Sequence, residues 1–330
     1  MNLNFLKTNF SQNFSQNKDW PVLLFCSGVV LFLSLYLHWV NSFHFDRPLI
    51  TRDLFLFSLC ALAYYAAKTA GYLQASLLTR NCCLLLLIGL IIDTALHVLP
   101  LTPFRLIDPQ LVKTDHFLDF DLPTFVFWIN HQYPFMSFFL GEIYHTLPCA
   151  FIPCIFILPW VSEARAKEFL VLFSLTNAIG LSLYFIFPAI GPMASYHYPL
   201  NPLENHYLNG VTQFRAQPHL FLNHFISGDI SFPSFHTILA LICAWVWRDF
   251  RWVFMPFSLW SVLIILSTLT TGWHYLTDVI GGILVFIISV QLWHRLKQPS
   301  LLRSAPQVGQ AIAGSFLLEE SPGSTGYNAS

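Results

Sequence analysis

The chain has 330 residues, 55% of them hydrophobic and only 10% charged, with a mean hydropathy of +0.58. A soluble domain of this length needs more charged surface, so the composition places the chain in a membrane. Its 16 Lys and Arg against 17 Asp and Glu give a net charge of −1 with no basic run, which leaves no electrostatic footprint for nucleic acid.

Residues 1–20 are rich in Asn and Ser and read as a disordered cytoplasmic N-terminus. Eight stretches then approach the roughly 20 apolar residues that cross a bilayer core. They are Pro21–Val40, Leu54–Tyr72, Cys82–Leu99, Phe139–Val161, Phe169–Phe187, Phe232–Trp247, Val253–Trp273 and Tyr275–Trp293. The first is longer than the apolar core of a signal peptide and reads as a retained span. The tail over 304–330 carries Gly, Ser, Pro and Glu without periodicity and reads as disordered. The expected architecture is an all-α polytopic bundle of about eight spans, one membrane domain over 21–303.

Lys and Arg concentrate in cytoplasmic loops. With both termini inside, Lys7, Lys18, Arg80, Arg165, Lys167, Arg248, Arg251, Arg295, Lys297 and Arg303 face the cytoplasm and outnumber Arg47, Arg52, Arg105, Lys113 and Arg215 outside. This orientation puts two long loops, 100–136 and 188–231, on the outer side. The first contains "HFLDFDLPTFVFWIN", an aromatic-rich stretch suited to lying in the interface. All seven cysteines fall in or beside apolar runs and read as small packing residues, and no Cys/His spacing suits a structural metal.

Ionisable residues inside spans are costly and are functional candidates for that reason. Here they are Asp93 and His97, Glu142 and His145, His236, and His274 with Asp278. Almost all fall toward the outer ends of their helices, which implies one polar cavity opening outward. His274 and Asp278 are four residues apart and share a helix face, so the carboxylate can hold one imidazole nitrogen and leave the other as nucleophile or base. An interhelical polar clasp uses the same spacing. In "FPSFHT", Pro233, Ser234 and the first backbone N–H groups of a helix make an anion site beside His236. His236 also fits a helix-start histidine bonded to a loop carbonyl. Thirty-eight residues separate the two histidines, enough for one span down, the "RDFRW" turn and one span back, so both return to the same membrane face. Two histidines, a carboxylate and a helix start together suggest phosphoryl transfer through a phosphohistidine. Asp93 and His97 read as structural or supporting. Glu142 and His145 either line the acceptor side of the cavity or pair with each other. His197, His206, His219 and His224 share a loop with no recurring ligand spacing and read as solvated.

"PSFH" followed by "STLTTGWHYLTD" resembles the second and third motifs, PSGH and SRxxxxxHxxxD, of the type 2 phosphatidic acid phosphatase superfamily. The resemblance covers about 184–282 and implies a six-helix phosphatase-type core. It implies His274 as nucleophile, Asp278 as its orienting partner, His236 as general acid and Ser234 as phosphate ligand, with Ser267 opening the third motif and no metal or cofactor. The implied substrate is a phospholipid or lipid phosphate in a cell (inner) membrane, handled on the non-cytoplasmic side, with water or a lipid hydroxyl as acceptor. Two phosphate-clamping cations of the family pattern are missing: KxxxxxxRP is absent, and Thr268 stands at the arginine position of the third motif. A singly charged phosphodiester needs fewer such cations than a dianionic monoester. The "FPSFHT" and "GWHYLTDVIGG" forms are most similar to the inositol phosphorylceramide synthase (inositolphosphotransferase)-like branch. Arg215 is the candidate replacement phosphate ligand. The competing expectation is a catalytically silent lipid-binding or transport protein on the same fold.

Overall fold

The computed structural model describes residues 19–41, 47–196, 202–216 and 230–297. The expectations for the N-terminus before 19 and for the tail after 297 lie outside them, as do His197, His219 and His224. In chain order the helices are α1 (Asp19–Asn41), α2 (Arg47–Thr69), α3 (Leu73–Val98), α4 (Asp108–Phe117), α5 (Leu122–Gln132), α6 (Pro134–Tyr144), α7 (Leu147–Phe156), α8 (Leu158–Val161), α9 (Glu163–Ile186), α10 (Pro202–Ala216), α11 (Phe235–Trp245), α12 (Arg251–Thr270) and α13 (Leu276–Lys297). The residues up to Trp293 form one compact unit; of the second, 294–330, only the last turn of α13 is described.

Among the described residues, five helical segments are long and apolar enough to cross a membrane: Pro21–Trp39, Leu73–Leu101, Glu163–Ile186, Arg251–Thr270 and Leu276–Lys297. A sixth crossing is counted if α6 is joined to α7 and α8, which bend by 41° at a short break. The expected eight spans therefore reduce to five or six by length and composition. Phe139–Val161 is not a straight span. His145 and Thr146 end α6, Pro148 opens α7, and Pro153 interrupts it, each proline removing a backbone donor. The Trp260 indole N–H donates to Thr146 Oγ1 at 2.9 Å, tying the bend to α12. Leu54–Thr69 and Phe235–Trp245 are apolar but shorter. At 1.5 Å per residue, 11-residue α11 reaches only about half-way across a bilayer core.

α9 is the centre of the bundle: 67% of its apolar window is buried, against 22–33% for the other four spans. Ser162 starts it by accepting the Arg165 N–H, and α1, α3 and α11 pack around it. The outward faces carry exposed Leu24, Phe25 and Phe32 on α1 and Leu284 and Ile288 on α13, surface that water would not tolerate and lipid does. The chain is an integral membrane protein. α5, from the aromatic-rich stretch, is capped by Asp121 on the Thr124 N–H; it buries Leu122 and Ile129 and exposes Phe127 and Trp128.

The two ends of the bundle differ in chemistry. At the C-terminal end of α11 and the start of α9, Arg165 and Arg248 converge on buried Glu168, Arg165 also meets Asp249, and Arg80 and Lys167 meet Glu163. The opposite end, where α11 and α13 begin and α12 finishes, holds His236 and His274.

Candidate active site

α11 starts at Ser234, whose hydroxyl accepts the Thr237 N–H at 3.3 Å; a cis peptide bond joins Phe232 to Pro233 just before it. His236 is thereby held in the first turn. α12 ends at Thr270, Gly272 takes a positive φ of 76°, and the turn delivers His274 just ahead of α13. The imidazole rings of His236 and His274 lie 5.7 Å apart, centre to centre, at 63°. The two motifs therefore meet as the sequence spacing requires. Both rings line a cavity of about 200 Å³ with Tyr144, Asn177, Ser231 and Trp273 among the other walls.

His274 is 4% exposed, and its Nδ1 lies 3.0 Å from the Ser231 carbonyl oxygen. A carbonyl only accepts, so this contact puts the proton on Nδ1 and leaves the Nε2 lone pair for chemistry. Asp278, fully buried, stands further off: its Oδ2 is 3.5 Å from Nδ1. That same oxygen accepts the Ser231 hydroxyl at 2.6 Å and the Tyr275 N–H at 2.9 Å, while the Asp278 carbonyl accepts the Ser234 N–H at 3.0 Å. Asp278 thus orders three segments, the Ser231 strand of loop, the 274–276 turn and the cap of α11, as well as facing the imidazole. Ser231 lay outside the sequence-based candidates because its decisive contact is made by its backbone carbonyl.

His236 stacks on Tyr144, centroid to centroid 4.1 Å at 19°, with the tyrosine hydroxyl 3.4 Å from Nδ1. Tyr144 and Trp273 also wall a second, more polar cavity of about 390 Å³ that contains Glu142, His145, Glu204, Thr270 and Thr271. The pair Glu142 and His145 therefore flanks the cavity shared by the two histidines. Asp93 and His97 do not line it, although their neighbours Ile92 and Leu96 do; His97 Nδ1 approaches the Asp93 carbonyl at 2.7 Å within α3.

The remaining candidates are placed less directly. Ser234 is fully buried, and its hydroxyl serves Thr237 rather than the cavity wall. Ser267 and Thr268 are fully buried too, each hydroxyl donating to a carbonyl of α12 at 2.7 Å. Arg215 donates to the carbonyls of Pro100 at 2.6 Å and Phe104 at 2.9 Å, which pins α10 to the loop after α3. Among the described residues, no Lys or Arg lines the cavity shared by the two histidines.

Two carboxylates from α4 complete the surroundings. Asp108 accepts the N–H groups of Ile190 at 3.1 Å and Gly191 at 2.8 Å and the Tyr275 hydroxyl at 3.2 Å. Burial lifts its carboxyl above the usual carboxylate range, and these donors pull it back. Asp115 accepts the N–H groups of Leu276 and Thr277 at 2.9 and 2.8 Å and the Thr277 hydroxyl at 2.5 Å.

Residues 109–292 match the PAP2 superfamily, which is the type 2 phosphatidic acid phosphatase superfamily. The chain belongs to this family. The match covers more than half of the chain and takes in both histidines, Asp278, Ser234, Ser267, Arg215 and Asp115. No curated protein and no solved structure matches the chain. Membership brings the general chemistry of membrane lipid phosphatases and phosphotransferases and lipid-phosphate substrates as a class.

Proposed function

We propose that this PAP2-family protein breaks a phosphoester bond of a membrane lipid through a phosphohistidine on His274. The observation that carries the reading is the pair of imidazoles 5.7 Å apart on one cavity, with His274 Nδ1 tied to the Ser231 carbonyl. In the first step Nε2 of His274 attacks phosphorus, a P–N bond forms, and the P–O bond to the leaving alcohol breaks. That oxygen takes a proton from His236. In the second step water or a lipid hydroxyl gives its proton to His236 and attacks phosphorus, and the P–N bond breaks. Asp278 supports the imidazolium-like charge that develops on His274. Ser234, Ser267 and Arg215 contribute by fixing the α11 start, the α12 end and the α10 contact that frame the cavity. Phosphate ligation by Ser234 or Arg215 requires each to leave its present partners on binding.

A cavity with no Lys or Arg among its described lining residues favours a singly charged phosphodiester over a dianionic monoester, in keeping with the inositolphosphotransferase-like branch. The basic network around Arg165 and Arg248 lies at the opposite end of the bundle from His274, which supports an active site on the non-cytoplasmic side of a cell membrane. A reporter fused after Arg303 then reads cytoplasmic, and a tag near Asn209 is accessible from outside; the reverse pattern moves the site to the cytoplasmic face.

The cation-free cavity also favours a second reading, a silent lipid-binding protein on this fold. One experiment separates the two. Purified protein is incubated with a panel of lipid phosphates and phosphodiesters, with and without a diacylglycerol or ceramide acceptor, and free phosphate is resolved from new phospholipid. Turnover identifies the enzyme and its acceptor, and no turnover on any lipid leaves the silent reading. In the active protein Tyr144→Phe keeps the stack on His236 and gives up the 3.4 Å approach of the hydroxyl to its Nδ1, so kcat stays within about tenfold of wild type. Tyr144→Ala removes the stack and opens the wall between the two cavities, and kcat falls further than in the Phe variant.

A further inference from the structure

α4, the short helix "DPQLVKTDHF" in the first outer loop, carries two buried carboxylates, Asp108 and Asp115. They are seven residues apart, two turns, and so share one face of the helix. That face meets the catalytic turn on both flanks. Asp108 holds the 190–191 backbone and the Tyr275 hydroxyl, and the Tyr275 hydroxyl also lies 3.1 Å from the Gly191 carbonyl. Asp115 holds the first two N–H groups of α13 and the Thr277 hydroxyl. The Ile107 N–H reaches the Pro188 carbonyl at 2.9 Å, fastening the start of α4 to the same segment.

Helix starts leave N–H groups unpaired, and an unpaired start is where an anion settles. At α13 the carboxylate of Asp115 already fills that place. The phosphate of a substrate is thereby left to the start of α11, beside His236. The same contact fixes how α13 begins. His274 lies two residues before Leu276, and Asp278 one residue after Thr277, so any rotation of this first turn changes the 3.0 Å approach of His274 to the Ser231 carbonyl and the 2.6 Å bond from Ser231 to Asp278.

We infer that Asp115 is a positioning residue for the His274 nucleophile: it seals the start of α13 and locks the turn that holds His274 and Asp278 in register, with Asp108 bracing the other flank. The inference rests on the phosphohistidine reading for its effect on rate, and on the hydrogen bonds of Asp115 alone for its effect on the turn. Asp115 touches neither cavity, so its loss alters rate rather than substrate affinity.

The test uses the full chain in detergent, as wild type, Asp115→Asn, Asp115→Ala and, as a control on the exposed side of the same helix, Lys113→Ala. Three quantities are measured: kcat and KM on a lipid the wild type turns over, the thermal midpoint, and amide exchange at Leu276 and Thr277. Asn keeps one acceptor oxygen, and Ala keeps none. The expected order is a kcat loss of about tenfold for Asn and about a hundredfold for Ala, with KM within about twofold, as for a displaced reacting group. Exchange rises at Leu276 and Thr277 in the same order, and Lys113→Ala behaves as wild type. Wild-type kcat in both Asp115 variants overturns the inference, and so does a KM rise that accounts for the loss. Should Ala fail to fold, the isosteric Asn variant carries the test. Should the wild type turn over no lipid, the phosphohistidine reading fails by itself, and exchange still decides: faster exchange confined to the first turn of α13 upholds the lock, and unchanged exchange overturns it.

Discussion

His274→Ala leaves no phosphoenzyme and reduces turnover by about 10⁴-fold or more, equivalent to about 5.4 kcal/mol of lost transition-state stabilisation. The size follows from the role: without the Nε2 lone pair there is no P–N bond and no second step. Incubation with lipid labelled on phosphorus, quenching in alkali and gel separation reads the adduct directly, since a phosphoramidate bond survives base and breaks in acid. His236→Ala gives a different signature. A general acid contributes about 10²–10⁴-fold, and its contribution shrinks as the leaving group becomes more acidic. The variant therefore loses most of its rate on a lipid ester with an alkyl-alcohol leaving group and far less on a nitrophenyl ester. It still forms the adduct from the activated ester. Equal turnover by wild type and His274→Ala rules out the covalent route, and equal losses on the two leaving groups rule out His236 as the acid.

The juxtaposition of His236 and His274 was legible in the sequence because its logic is local or nearly so. Four residues place His274 and Asp278 on one helix face, and 38 residues make a hairpin that returns His236 to the same end. Its supports were not legible, for physical reasons. The partner of His274 Nδ1 is a main-chain carbonyl, which every residue possesses and no side chain advertises. Asp108 and Asp115 reach Tyr275 and the α13 start across 167 and about 161 positions, and in the sequence they look like ordinary polar residues of an outer loop. Hydropathy also overstated the spans. It registers greasy residues in a row but not where the backbone breaks, so the bent α6–α8 segment and the short α11 both read as full crossings. Arg215 illustrates the converse. A lone cation in an outer loop suggests a phosphate ligand, yet the guanidinium serves two carbonyls of the neighbouring loop. The same limit applies to Ser234, where a motif hydroxyl reads as a ligand and the fold uses it as a helix cap.

Gly282→Ala, which adds one methyl group where α11 and α13 cross, severely impairs the protein. A Cβ on Gly282 would sit 2.7 Å from the Ser234 carbonyl oxygen and 3.1 Å from Thr237 Cβ. The first of these is backbone and cannot swing aside, so α11 and α13 must separate where they cross. That crossing also carries the Ser234 N–H bond to the Asp278 carbonyl, and it sets the distance between the helix bearing His236 and the turn bearing His274. Overpacking of this kind costs about 1–3 kcal/mol in stability. A displacement near 1 Å at the reacting groups costs about a hundredfold in rate. Gly281→Ala meets the edge of the Phe232 ring at 2.8 Å, a side chain that can yield, and its losses are smaller. Gly28→Ala and Gly89→Ala meet nothing within 4 Å, and in helix interiors they are neutral or stabilising by up to about 1 kcal/mol. Thermal midpoints and kcat on the same lipid give the ranking: Gly282→Ala lowest on both, Gly281→Ala intermediate, and the two distant alanines at or above wild type. Wild-type activity in Gly282→Ala would mean that the α11–α13 crossing does not set the spacing of the histidines.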